Sequence, residues 1–126
     1  MIIRSLTDCP VFDARDGTHL CELLHPSHFS GAVGARFSLA HAYLEPGGEM
    51  SYPPHRLAES HEVYYILAGS GMMHIGDEAG GEVHAGQVVS IPAGAVQHIA
   101  NTGDERLVFL AIVDPMWTES DDERVV

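Results

Sequence analysis

Apolar residues along this chain fall in short runs, separated by glycine, proline, aspartate and asparagine. The strongest run covers 62–67, where Val63, Tyr64, Tyr65 and Ile66 all suit a pleated surface. Before it lie a weaker candidate at 19–24 and a better one at 36–44, ended by Glu45-Pro46-Gly47-Gly48. Gly69-Ser70-Gly71 turns the chain into 72–75, which stops at Gly76-Asp77. Further strands are predicted over 82–84, 87–91, 96–101 and 107–113, bounded by Ala85-Gly86, Pro92-Ala93-Gly94-Ala95 and Thr102-Gly103-Asp104-Glu105. The run 107–113, LVFLAIV, is the most apolar and predicts a strand buried on both faces. No window of useful length carries a helical apolar period. Short strands broken by glycine and proline predict an all-β antiparallel sandwich or barrel.

Length and charge narrow the class of function. A chain of 126 residues is one domain able to bury a real core. No apolar run approaches the roughly 18 residues that span a bilayer. The start, MIIRSLTDCP, lacks a long apolar stretch and a small-residue cleavage site, so a cytoplasmic location is expected. Net charge is −12, with eighteen acids against six arginines and no lysine. Such a surface repels phosphate backbones and anionic lipids, which argues against nucleic acid or membrane as partner. Cys9 and Cys21 match no zinc-ligand spacing and read as reduced thiols, with a disulfide pinning the N-terminal arm as the alternative. The acidic segment 119–124 reads as a solvated end.

Two glycine-anchored stretches carry the chemistry: GEMSYPPHRLAESHEVYYILAG over 48–69 and GQVVSIPAGAVQHIAN over 86–101. They resemble the two signature motifs of the cupins, small β-barrels that often hold a metal ion. In the first motif, G-x5-H-x-H-x(3,4)-E-x6-G, Gly69 and Glu62 take the last two positions and His55 the first histidine, while Leu57 stands on the second. Its leading glycine is displaced by one residue, at Gly48. The second, G-x5-P-x-G-x2-H-x3-N, fits at Gly86, Pro92, Gly94 and Asn101, with Gln97 where histidine is expected. The resemblance implies a double-stranded β-helix, or jelly-roll barrel, with a short N-terminal arm and an acidic C-terminal tail. It divides a single domain over 1–126 into arm and first strands (1–35), conserved barrel (36–113) and tail (114–126). It also implies a homodimer paired through a sheet face, which would cover exposed strand edges.

Residues two apart on a strand share a face. His55 and Leu57 therefore point together, as do Glu62, Tyr64 and Ile66, and Gln97 with Ile99 and Asn101. By the motif match these faces line the barrel, and His61 and His98 point away. His55, Glu62 and Gln97 are the candidate ligands for a divalent transition metal such as Fe, Mn, Ni or Zn; with water they would resemble an open, catalytic-type site. Glutamine is a neutral, weak donor and leucine none at all. The alternative, without metal, is a polar cluster in which Glu62 hydrogen-bonds to His55 and Gln97. Leu57, Tyr64, His41 and Asn101 are the candidate pocket residues. His25, beside a proline, reads as a loop or capping residue, and the scattered histidines form no H-x-x-x-H pair. Trp117 is expected to pack on the barrel or a partner subunit.

Relatives implied by the resemblance include dioxygenases, isomerases, decarboxylases and cyclases acting on small organic molecules. One expectation is thus a metal-assisted enzyme. A second is a metal-free module that captures a small ligand, favoured by the apolar Leu57. A third is a metal-free enzyme in which Glu62 and His55 act as an acid–base pair. The sequence holds no G-x-S-x-G elbow, P-loop or dinucleotide-binding turn.

Overall fold

A computed structural model of the chain describes residues 1–28 and 35–125; the part of the expected N-terminal arm at 29–34 lies outside the described residues, as does Val126. Eleven strands form two sheets among the described residues. They are β1 (Phe12–Asp13), β2 (His19–Leu24), β3 (Ser38–Leu44), β4 (His55–Leu57), β5 (His61–Ala68), β6 (Ser70–Ile75), β7 (Gly81–His84), β8 (Val88–Ile91), β9 (Gln97–Asn101), β10 (Leu107–Asp114) and β11 (Asp122–Arg124). The larger sheet has the order β1-β2-β3-β10-β5-β8, the smaller β11-β4-β9-β6-β7, and all pairs are antiparallel. Helical structure among the described residues is confined to short 3-10 turns at Leu6–Asp8 and Glu119–Asp121. The all-β jelly roll read from the sequence is the fold observed. Among the described residues, no helix is long and apolar enough to cross a membrane.

The two sheets close over a core of Ala42, Leu44, Tyr64, Ile66, Met73, Val83, Ile91, Ile99, Leu107 and Phe109. Gly69 shows why the first motif ends in glycine. It sits at φ 82°, and a Cβ there would meet the Arg106 carbonyl oxygen at 2.6 Å. Both constraints exclude a side chain where β5 turns into β6.

Two expectations need correction. The tail is not merely a solvated end: β11 pairs with β4, with Asp122 opposite Leu57 and Arg124 opposite His55. Asp121 anchors the approach to β11, its carboxylate accepting from the Glu59 and Ser60 amides at 2.7 and 3.2 Å. The run 107–113 is not buried on both faces within one protomer. Leu107, Phe109 and Val113 are buried, whereas Val108, Leu110 and Ile112 on the outer face are half-buried. A central strand in a two-sheet barrel has only one sheet to pack against.

Cys9 and Cys21 are free and buried. The Cys9 thiol donates to the Glu22 carbonyl at 3.2 Å. Burial and the neighbouring Cys9 push the Cys21 thiol up to about 12, which makes it a poor nucleophile.

A polar cluster at the head of a barrel cavity

Between the sheets lies a cavity of about 200 Å³. Ala42, Tyr64 and Phe109 line it and also belong to the packed core, so they form its floor. The Tyr64 and Phe109 rings lie 4.6 Å apart and tilted by 43°. Leu20, Ala40, Leu57, Ala111 and Val113 supply apolar walls. The polar groups come from separate parts of the chain: Asp16 from the turn after β1, His55 from β4, Glu62 from β5, Trp117 after β10, and Asp122 from β11.

The pleat puts the motif residues side by side. His55 and Gln97 are opposite one another on β4 and β9. Glu62 stands between Ile91 and Val113 on β5. Gln97 Nε2 donates to Glu62 Oε1 at 2.9 Å, and the Tyr64 hydroxyl donates to Gln97 Oε1 at 3.0 Å. The three side chains thus form a buried chain of hydrogen bonds with one direction. Burial dominates the electrostatics, pushing the Glu62 carboxyl up to about 8; the Gln97 amide opposes this, and Asp16 and Asp122 add to it. Tyr64 is raised well above its ordinary value, first by burial and then by Glu62. It remains a hydroxyl and a donor.

His55 stands apart from this chain. Its Nδ1 is buried without a hydrogen-bond partner, and lies 3.7 Å from Asp16 Oδ2, too far for a direct bond. The expected bond from Glu62 to His55 is not among those formed. Asp16 is held in place by its own turn: its Oδ1 accepts from the Thr18 amide at 3.0 Å and its carbonyl from the Tyr52 amide at 2.8 Å. A ligand atom or water between Asp16 and His55 would satisfy both.

This arrangement does not suit a metal at the motif positions. The Gln97 oxygen, its only ligating atom, already accepts from the Tyr64 hydroxyl, and the amide nitrogen faces the carboxylate. Leu57 offers no lone pair.

Two of the expected pocket residues do not line the cavity. His41 points to the outer face of the larger sheet, in a row with Cys21, Leu110, Tyr65 and Val88 across the strands. Its strand neighbours Ala40 and Ala42 are the ones facing inward. Asn101 is buried but serves the turn after β9: Nδ2 donates to the Leu44 and Glu105 carbonyls at 3.0 and 2.9 Å, and Oδ1 accepts from the Gly103 amide at 2.9 Å. His61 is exposed and bonded to Ser90 at 2.8 Å, and His98 stacks on His74, with ring centroids 4.4 Å apart.

Sequence reading overlooked Asp16, Asp122 and Glu22, which also lines the cavity. Asp16-Gly17 is a turn signal, but nothing local says that the turn leans over a barrel. Glu22, His25 and His28 recur at intervals of three residues. One ligand atom from each lies within 4.8 Å of the others, so a His/Glu grouping able to hold a cation exists outside the motif.

The fold and the motif positions together define a cupin, and the match to known proteins agrees: the cupin-domain family model covers residues 40–113. The chain belongs to that family. It is 34% identical over 109 residues to an uncharacterized protein of Methanocaldococcus jannaschii, covering 86% of this chain and 82% of that one. It is 30% identical over 117 residues to an oxalate-binding protein of Thermotoga maritima, covering 90% and 93%. Among solved structures, the Streptomyces nucleoside dehydratase Pac13 superposes with a TM-score of 0.76 over 99% of this chain and 91% of that chain. At 14% identity that likeness concerns the fold alone.

Proposed function

We propose that this cupin captures a small, uncharged organic molecule of about one ring in size, and that protonated Glu62 is the group that recognises it. The carrying observation is a buried carboxyl, pushed up to about 8, at the head of a cavity with an apolar floor and walls. A neutral carboxyl both donates and accepts a hydrogen bond. The volume of about 200 Å³ suits one ring, since apolar cavities of roughly 150 Å³ take benzene. Charge argues against a small dianion. Asp13, Asp16, Glu22 and Asp122 line the cavity alongside Glu62, against Arg15 and Arg124. The oxalate of the Thermotoga relative's name would meet this acidic rim at close range.

Isothermal titration of untagged protein in chelator tests the reading, with simple phenols, uridine and oxalate as probes. Binding of an uncharged ring that weakens above pH 8 and is lost in Glu62→Gln supports it. Binding of oxalate alone, or binding that requires a transition metal at the motif positions, overturns it.

A second reading has one observation in its favour. A carboxyl poised near 8 is also suited to proton transfer at neutral pH, with His55 within the same cavity as its partner. Here Glu62→Gln would abolish turnover of a bound molecule while His55→Ala reduced it. Unchanged turnover in Glu62→Gln would end this version.

The proposal includes a homodimer. Val63, Tyr65, Leu110 and Ile112 lie on the outer face of the larger sheet, where a second copy would bury them. It also keeps the cytoplasmic setting, to which two free, buried thiols are suited.

A further inference from the structure

We infer that Glu22, His25 and His28 form a binding site for a first-row divalent cation, zinc foremost, at the rim of the cavity and separate from the cupin motif positions. β2 ends at Leu24, and the next turn folds back as the His28 amide donates to the His25 carbonyl at 3.1 Å. That turn lays the His28 ring on the His25 ring, with centroids 3.8 Å apart and planes within 10°. It also brings His28 Nδ1 to 2.5 Å from Glu22 Oε2.

His25 carries the argument furthest. It is only 2% exposed, and its Nε2 lies 2.7 Å from the Trp117 carbonyl oxygen. A carbonyl can only accept, so Nε2 holds the proton and Nδ1 keeps its lone pair. Metal-ligating histidines show this arrangement, one nitrogen donating to a backbone carbonyl while the other faces the ion. Nδ1 now accepts from the Ser27 amide at 3.2 Å, a long bond that an ion would displace. Glu22 and His28 are 19% and 48% accessible, which leaves room for a water ligand and for the His28 ring to turn. Two imidazoles and a carboxylate with an open fourth position form a zinc-type set. Magnesium and calcium, which prefer oxygen throughout, are disfavoured. Because Glu22 lines the cavity, a cation there would join β2 to the segment carrying Trp117 beside the ligand chamber.

The test is calorimetric titration of Zn2+ into untagged, chelator-stripped protein at physiological salt, where loose attraction to an acidic surface is screened. One equivalent should bind, and His28→Ala or Glu22→Gln should weaken it by about tenfold or more. Both altered side chains reach solvent, and far-UV circular dichroism checks that the barrel is intact. Glu62→Gln should leave zinc affinity unchanged, which separates this site from the ligand chamber. Wild-type affinity in His28→Ala, loss in Glu62→Gln alone, or displacement by excess Mg2+ would each overturn the assignment.

Discussion

Gln97 turns its amide nitrogen, not its oxygen, toward Glu62: Nε2 donates to Oε1 at 2.9 Å. The reason lies one residue further on. The Tyr64 hydroxyl donates to the amide oxygen at 3.0 Å, and a raised pKa keeps that hydroxyl protonated. An amide has one oxygen, so a donor on one side sends its N–H toward the other. A tyrosine thereby decides what a glutamine offers to a carboxylate.

The first prediction concerns pH. Free glutamate titrates near 4.5, and Glu62 in the folded chain at about 8. Below the lower value both states hold the proton and Glu62 adds no slope. Between the two, the unfolded chain releases its proton while the folded chain retains it, so stability falls as pH rises and levels off above about 8. The loss amounts to a few kcal/mol, given about 1.4 kcal/mol per tenfold change in proton affinity. Urea denaturation from pH 5 to 9 should show this fall in the wild type and a flatter profile in Glu62→Gln. Parallel profiles would contradict it.

Removing the Tyr64 hydroxyl should leave the Gln97 oxygen buried and unpaired. Tyr64→Phe is expected to lose about 1–3 kcal/mol through that unmet acceptor. The chemical denaturation midpoint measures it. The slope should stay the same, because the same surface is exposed on unfolding.

Restoring the missing imidazoles should create metal affinity in the barrel. Leu57 lines the cavity on the same face as His55, and Gln97 is opposite His55 across the strands. Leu57→His with Gln97→His would join His55 and Glu62 in a four-ligand set that favours the ionised carboxylate. Elemental analysis after loading with zinc or manganese should find about one further equivalent per chain relative to wild type. No gain would mean that the strands hold these positions too far apart.

Self-association is predicted to depend on the outer face of the larger sheet. Leu110 is half-buried there, beside Tyr65 and His41 on the flanking strands. Sedimentation should find a dimer for the wild type and a monomer for Leu110→Glu, because a charge in an apolar sheet contact costs several kcal/mol. A monomeric wild type would refute the dimer.

Much of the barrel could be read along the chain, because a strand's period of two is local. Val63, Tyr64, Tyr65 and Ile66 signal a strand from residue type alone, and parity puts His55 with Leu57 and Glu62 with Tyr64. Parity says which residues share a face, not which face is inside. His41 marks that difference. In β3 the small residues Ser38, Ala40 and Ala42 face the cavity, which needs room, while His41 and Tyr43 cover the outside. Asn101 is a different case: its face is interior, but its side chain is used up in closing a turn.

From the order of its residues alone, this chain is committed to short strands, glycine turns and the shared faces of His55 with Leu57 and of Glu62 with Tyr64, since each depends on neighbours a few bonds away. Folding in three dimensions decided the rest. It carried Asp16 and Asp122 from opposite ends of the chain to the rim above Glu62, and it aimed Tyr64 at Gln97. Proton affinity and amide orientation arise from groups close in space, and no local pattern records that closeness.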